Sequence, residues 1–382
     1  MPLLNVVVVK SNYQKAGGAE TLLASFLKGA DARRFQTTVV ALTHDLDRPL
    51  PFLHPAEFGN NPEKWVAIPW TGINSLPNAV KVARNLIRKI NADVIYTHDM
   101  RANLLAYGLT RFVKIPWAPH VHGWLGKTAA GKTRFYEWVD RRLIAGADRV
   151  IVGSEALLEK IQRNPGVKNV RLIPNSIDVS RFKGSDGWDD SLRETLFPGF
   201  RGVVIGTVGR LHRGKGLHIL LTAFARIHQK RRDIRCVILG EGPEEMALKR
   251  LARDLGVENS VVFAGYVEDM TPYLHLTDIF TLCSFAESLP LALLEALCLK
   301  KPAVATDVGD VGRVLSFGKE SLLVKPGDVD ALCAALERLI ENPRLRDEYG
   351  CLGKKTVEAR YSMDTAVKKI EEVLAEVGCG AA

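Results

Sequence analysis

Two glutamates eight positions apart, Glu287 and Glu295, are the residues whose spacing first suggests chemistry. Glu287 lies in the turn-like segment Ser284–Phe285–Ala286–Glu287–Ser288–Leu289–Pro290, and Glu295 in the helix-like run Leu291–Leu299 that follows. At helical rise, eight residues cover about 12 Å and return to within roughly 80° of the same face. That is too long for two acids that cleave one glycosidic bond with retention, which stand about 5–5.5 Å apart. It suits contacts at the two ends of one elongated ligand, with helix N-terminal amides between them for an anion. The plain alternative is a turn-capping Glu287 and a solvated Glu295. Against it, Glu295 interrupts the apolar run Leu293–Leu294–Glu295–Ala296–Leu297, where a carboxylate needs a partner.

A second group is cationic. Gly206–Thr207–Val208–Gly209–Arg210–Leu211 leads to Gly214–Lys215–Gly216, after a strand-like run and before a helix-like one at Leu217–Lys230. Arg210 offers a planar fork and Lys215 a point charge, the two donor types that hold phosphate. The spacing is not that of an ATPase phosphate loop, because Gly216 stands where a magnesium-binding Ser or Thr would follow the lysine. Without a phosphate, the same residues are two surface cations on a loop. Gly17–Gly18–Ala19–Glu20 also falls between a strand and a helix, where glycines admit an anion to the helix N-terminus. Gly240–Glu241–Gly242–Pro243 reads as a tight turn; no glycine stands three residues after Gly242, so it is not a dinucleotide fingerprint.

Histidines form a third group. His120–Val121–His122–Gly123 follows Pro116–Trp117–Ala118–Pro119, and His98–Asp99 closes the strand-like Asp93–Thr97. His120 and His122 are expected to face opposite sides of a strand and so not to share a metal. One histidine beside Gly123 is placed to reach a ligand hydroxyl, and His98 and Asp99 to face the same cleft. Asp45–Leu46–Asp47 and Asp328–Val329–Asp330 match an Asp-x-Asp metal pattern. The first lies in a polar loop and the second where a helix wants an N-cap, so no metal ligand is assigned.

These groups need a frame to hold them. Strand-like runs at Leu4–Val9, Gln36–Leu42, Asp93–Thr97, Arg149–Gly153 and Val170–Pro174 alternate with helical patterns such as Ala19–Lys28 and Ser75–Ile90. The polar stretch Ser180–Gly202 reads as a linker. A second series follows at Val203–Val208, Arg235–Leu239, Val261–Phe263, Ile279–Leu282, Ala303–Thr306 and Ser321–Val324. Such alternation implies parallel sheets covered by helices, hence two doubly wound α/β domains in tandem with a ligand cleft between them. A last helix near Met363–Val377 is expected to return to the first domain.

Composition bounds the partners. The chain has 382 residues, 47% of them hydrophobic and 25% charged, which fits two globular cores and excludes disorder. A net charge of +9 points to anionic partners. No RNA-binding signature or zinc-finger spacing points to nucleic acid. Cys236, Cys283, Cys298, Cys333, Cys351 and Cys379 form no CxxC pair and read as thiols of a reducing compartment. The N-terminus lacks a signal-peptide pattern and no apolar run reaches membrane-spanning length, so a soluble, cytoplasmic protein is expected.

At these residues the chain closely resembles the family-four retaining glycosyltransferases of the GT-B fold, the glycosyl transferases group 1, over nearly its whole length. The matching pieces run in order. They are Gly17–Glu20, His122–Gly123, Pro174–Asp178 with Arg181–Phe182, and Gly209–Leu211 with Lys215–Gly216. Next come Gly240–Pro243, Phe263 and Gly265 with Val267, Glu287 and Glu295, Pro302–Thr306, and Pro326–Asp328. Each is weak alone; the ordered set is specific. The resemblance implies an acceptor-binding Rossmann-like domain over 1–180 and a nucleotide-sugar domain over 181–362, with 363–382 packing back on the first.

It also implies roles. Arg210 and Lys215 bind the diphosphate and stabilise the leaving group. Glu295 binds the ribose hydroxyls, and Glu287 the donor sugar with Ser288 and Leu289 beside it. His122 contacts the sugar near the reacting carbon. Gly17, Gly18 and Gly209 face the phosphates, and the base sits near Gly242 and Val267. His98 and Asp99 are acceptor-side candidates. The implied reaction moves a hexosyl group from a UDP-, GDP- or ADP-sugar to a glycan or lipid-linked acceptor, in cell-surface polysaccharide or lipopolysaccharide biosynthesis. Anomeric configuration is retained, no cofactor or divalent metal is needed, and the leaving phosphate serves as base. Two departures blur the sugar: Ser288 replaces a frequent Gly, and Asp310 and Arg313 replace a Gly and Glu after Thr306.

Other readings remain open. A GT-B-type epimerase would interconvert the donor alone, and a sugar-nucleotide sensor would bind without turnover. A nicotinamide dehydrogenase is disfavoured by the missing fingerprint. The segment 126–150 carries Lys127, Lys132, Arg134, Arg141, Arg142 and Arg149 with Trp124, Phe135, Tyr136 and Trp138 nearby. It is expected to touch an anionic membrane from the cytoplasmic side.

Overall fold

The computed structural model describes residues 3–11, 18–44, 65–122, 132–164, 166–182, 191–315 and 321–380. Gly17, Asp45, Asp47, Gly123, Trp124 and Lys127 lie outside them. The chain forms two compact units: Met1–Asn175 with Met363–Ala382, and Ser176–Ser362.

In the first unit, seven strands pair in parallel: β1 (Leu4–Ser11), β2 (Phe35–Thr43), β3 (Trp65–Pro69), β4 (Val94–Thr97), β5 (Trp117–Val121), β6 (Val150–Val152) and β7 (Val170–Leu172). Their order is β3-β2-β1-β4-β5-β6-β7. β1 pairs with β2 from Leu4↔Phe35 to Ser11↔Leu42, and with β4 from Val6↔Val94 to Val9↔Thr97. Its unbroken valine run suits a strand buried on both faces. Alternate residues face opposite layers: Val6 and Val8 join one core cluster, Val7 and Val9 another. The cluster around Val6 and Val8 is completed from far along the chain. The helix Met363–Cys379 brings Ile370 and Leu374 against Leu23 and Phe26 of the helix Gly18–Gly29.

The second unit repeats the plan. Its strands are β8 (Val203–Val208), β9 (Ile234–Leu239), β10 (Val261–Gly265), β11 (Ile279–Leu282), β12 (Ala303–Thr306) and β13 (Ser321–Val324), in the order β10-β9-β8-β11-β12-β13. In both sheets the order reverses beside the first strand, between β1 and β4 and between β8 and β11. Ligands of doubly wound sheets bind beyond the carboxyl ends of strands at such a point.

Two expectations change. The split lies at Asn175/Ser176 rather than after residue 180, because Ile177 N–H donates to Tyr361 O at 2.9 Å and Phe182 is buried in a second-unit cluster. The polar stretch after Ser180 is not all linker. Residues 191–196 form a helix, Phe197 is buried in that unit, and Arg193 donates to Gly202 O, Leu276 O and Asp278. Polar composition concealed a segment whose cation is used inside the fold.

Candidate functional site

The cationic loop leaves β8 at the second unit's reversal point and is fixed on two sides. Gly209 N–H donates to Leu239 O at 3.0 Å, and Leu211 N–H to Glu241 O at 2.9 Å. A Cβ on Gly242 would stand 2.3 Å from Leu211 O, so this glycine is required by the approach of two loops. Downstream, Gly216 adopts the left-handed region (φ 64°) to start the helix Leu217–Lys230. A Cβ there would lie 2.1 Å from Cys283 O, at the end of β11. Phe285 N–H donates to Gly214 O at 2.8 Å, so the β8 and β11 loops are joined backbone to backbone.

That joining brings the predicted charges together. Lys215 Nζ lies 2.5 Å from Glu287 Oε1, and Ser284 Oγ donates to the same oxygen at 2.6 Å. Arg210 stands exposed at the end of β8. The lysine assigned to a diphosphate and the glutamate assigned to a sugar therefore form one partly buried ion pair. Ser284, which the sequence reading gave no role, is anchored in turn, since its carbonyl accepts from Thr306 Oγ1 at 2.6 Å.

Glu295 sits on the helix Leu291–Cys298 among buried leucines. Burial raises its pKa, the Arg181 charge opposes this, and Asp269 adds to it. Its Oε2 is buried; among the described residues that oxygen has no hydrogen-bond partner, and the Arg181 charge is what opposes the effect of burial.

The helical ruler between the two glutamates fails, because the helix begins at Leu291 and Glu287 lies before it in a loop. Leu289 turns its side chain inward: it is 4% exposed and belongs to a core cluster. Val267 is half-buried against the cluster that holds Val204 and Leu239. Ser288 O accepts from Asp310 N–H at 2.8 Å, and Asp310 is buried with Arg313 3.5 Å away. Two of the three residues that depart from the family pattern, Ser288 and Asp310, are thus joined backbone to backbone beside Glu287.

In the first unit, the reversal point holds a charge network that sequence reasoning missed. Lys10, 2% exposed at the end of β1, meets Glu20 at 2.9 Å and Asp99 at 3.7 Å. A lysine closing a buried valine strand was the available signal. Asp99 also accepts from Ser11 N and Oγ and from Arg101 N and Ala102 N, where it caps the helix Met100–Leu109. Its carboxylate is thereby engaged inside the unit. Gly18 opens the helix Gly18–Gly29.

His98, His120 and His122 converge. Positions i and i+2 of a strand line one face, and the rings of His120 and His122 stack at 4.3 Å; the expectation of opposite faces is corrected. The pairing of β4 with β5 aligns Thr97 with Pro119, which carries His98 to the same place. His98 Nδ1 is 3.1 Å from His122 Nε2, and Tyr96 OH is 2.8 Å from His120 Nδ1. Burial pushes all three pKa values down, that of His120 to about 3, with Lys10 adding to the shift at His98 and His122. The three are neutral imidazoles at pH 7.

Of the Asp-x-Asp patterns, the second is structural: Asp328 caps a helix through Ala331 N–H and Asp330 pairs with Arg226. The helix Lys132–Leu143 leaves Phe135, Tyr136 and Trp138 exposed, with the Arg142 guanidinium 4.1 Å from the Trp138 ring centre. No helix among the described residues is long and apolar enough to cross a membrane.

Comparison with known proteins matches both units. The family model for Glycosyltransferase Family 4 matches residues 16–181, and that for Glycosyl transferases group 1 matches 202–342. The lipopolysaccharide core biosynthesis glycosyltransferase LpsE of Rhizobium meliloti is 25% identical over 303 residues, 78% of this chain and 86% of that one. The alpha-D-kanosaminyltransferase of Streptomyces kanamyceticus is 26% identical over 247 residues, 63% of this chain and 64% of that protein. HepE of Anabaena, solved in complex with UDP, superposes with a TM-score of 0.81 at 21% identity, over 98% of this chain and all of that one. Two parallel α/β units, the ordered motifs and both family models lead to one conclusion: the chain belongs to the GT-B glycosyltransferases of family four and group 1.

Proposed function

We propose that the chain transfers a hexosyl group, with retention, from a nucleotide-diphosphate sugar to a glycan or lipid-linked acceptor. The observation that carries this reading is the joined pair of loops at the second unit's reversal point. They set Lys215 beside Glu287, with Arg210 exposed at the end of β8 and, on the following helix, a buried Glu295 carboxylate oxygen, Oε2, lacking a hydrogen-bond partner among the described residues. The diphosphate takes Arg210 and Lys215, so the charge that a divalent metal would supply comes from side chains, and no cofactor is required. Glu295 accepts the ribose hydroxyls. Glu287, released from Lys215 as the phosphate arrives, accepts a sugar hydroxyl. The acceptor oxygen attacks the anomeric carbon, the bond to phosphate breaks, and the acceptor proton passes to the departing phosphate oxygen. His122 uses Nε2 toward His98 and offers its other ring nitrogen to a sugar hydroxyl, while His98 and Asp99 brace the acceptor side. Support for the donor class comes from HepE, solved with UDP and with UDP-glucose. Support for the pathway comes from LpsE and from a putative teichuronic acid biosynthesis glycosyltransferase of Bacillus subtilis, 26% identical over 291 residues.

Calorimetry with UDP-, GDP- and ADP-sugars tests the site. One donor class should bind the parent and be lost in Arg210→Ala and Glu295→Ala; unchanged binding in both variants would end the proposal. Turnover should survive EDTA, and product NMR should show the donor's anomeric configuration. The exposed Phe135, Tyr136 and Trp138, flanked by Arg134 and Arg142, further support a cytoplasmic protein resting on an anionic membrane. Co-sedimentation with anionic vesicles at low salt should fall in Trp138→Ala; no sedimentation of the parent removes this part.

A further inference from the structure

We propose that His98, His120 and His122 form a three-nitrogen site for a divalent transition-metal ion of the zinc class, carried by the first unit alone. One ring nitrogen from each lies within 4.8 Å of the other two. His98 and His120 are 3% and 1% exposed, and Nε2 of His120 has no hydrogen-bond partner among the described residues. A buried polar atom left in this way calls for an occupant. A neutral imidazole lone pair is a transition-metal donor.

The surroundings support ligation. Two histidines two apart at the end of one strand, with a third from the neighbouring strand, present three nitrogens to one side. A three-histidine set leaves the fourth tetrahedral position to water or a ligand hydroxyl. Tyr96 OH holds His120 Nδ1, which orients the ring and leaves Nε2 toward the cluster, as outer partners of metal-bound histidines do. His98 Nδ1 and His122 Nε2, 3.1 Å apart, share a single proton, and the ion takes that proton's place. Zinc–nitrogen bonds of about 2.0–2.1 Å put tetrahedral nitrogens about 3.4 Å apart. The stacked rings of His120 and His122, 18° from parallel, must therefore tilt toward a common point, through a terminal torsion that is soft. The nearby ammonium of Lys10 is met by the carboxylates of Glu20 and Asp99, so it does not oppose a cation alone. The proposal rests on these nitrogens and not on the transferase reading, which gives His122 and His98 to the sugar and the acceptor; a bound ion competes with that use of the same rings.

The test uses the untagged full chain with the exposed Cys351 and Cys379 changed to serine, stripped with chelator and titrated with cobalt(II), then zinc(II). One equivalent should bind, with a visible cobalt spectrum that zinc abolishes and a thermal midpoint that zinc raises. His98→Ala and His120→Ala should lose the spectrum. Tyr96→Phe, which keeps all three ligands, should weaken binding about ten- to a hundredfold. His122→Gln, at the partly exposed strand end, should also lose it; circular dichroism identifies the variants that keep the fold. The proposal is overturned if the parent binds no stoichiometric cobalt at millimolar ion, or if folded His122→Gln and Tyr96→Phe bind as the parent does.

Discussion

Replacing Glu295 with Gln should make the protein more stable and a worse ligand binder at once. The carboxylate is buried with one oxygen unpartnered, and burial raises its pKa. A buried polar group left unpaired costs about 1–3 kcal/mol, and a charged one more. An amide of the same shape keeps its own desolvation cost, and Arg181 already offsets part of the charge, so a gain of about 1 kcal/mol is expected. For a unit of residues 176–362 that is a rise of roughly 2–4 °C in thermal midpoint. The pH dependence has a definite sign. A carboxyl with a raised folded pKa holds its proton more tightly in the fold, so stability is lost as pH rises through that value. The advantage of the variant is therefore present at pH 7 and fades as pH falls into the ordinary carboxylate range. Nucleotide affinity moves oppositely. Losing a hydrogen bond to a charged acceptor costs about 1.5–3 kcal/mol, a ten- to hundredfold weaker Kd. Differential scanning fluorimetry of parent and variant from pH 4 to 8, with and without nucleotide, reads both effects. A variant less stable than the parent at pH 7, or one with parental nucleotide affinity, would refute the reasoning.

Lys215→Ala should weaken donor binding by about tenfold or more while changing the unliganded midpoint little, because a partly exposed ion pair is worth about 0–1 kcal/mol; calorimetry and melting separate the two. Gly216→Ala forces a side chain into the left-handed region against Cys283 O and should cost about 2–4 kcal/mol in urea unfolding. Lys10→Met leaves Glu20 and Asp99 without their buried cation and should cost about 3–5 kcal/mol by guanidinium denaturation. The three depressed histidines are neutral in the fold and protonate in the unfolded chain below about pH 6.5, so the first unit should lose stability as pH falls from there. Hydrogen exchange in β1 and β4 that is unchanged between pH 7 and 5 would contradict this.

The repeating strands and helices were legible because buried parallel strands are continuous apolar runs: β8, β11, β12 and β13 fall where the sequence puts them. β3 was missed, since its five residues follow a long polar stretch and pair only at the sheet edge. The donor-side charges were legible as residue types at strand ends, because those ends are where a doubly wound sheet presents side chains. Their arrangement was not. That Lys215 reaches Glu287, 72 residues away in sequence, depends on Gly216 and Phe285 fastening their two loops. The histidine cluster was visible as letters, yet its convergence follows from β4 lying beside β5, a pairing that no local pattern encodes.

The helix Met363–Cys379 completes the core of a unit whose other residues end at Asn175. The unit made first is thus finished last. While the ribosome makes the intervening residues 176–362, the helix Gly18–Gly29 has no cover on the face that Ile370 and Leu374 will occupy. At synthesis rates of about 5–20 residues per second that interval is on the order of ten to forty seconds. During it, Leu23 and Phe26 are exposed to whatever the nascent chain meets, chaperones included. Removing the last twenty residues would make that unfinished state permanent.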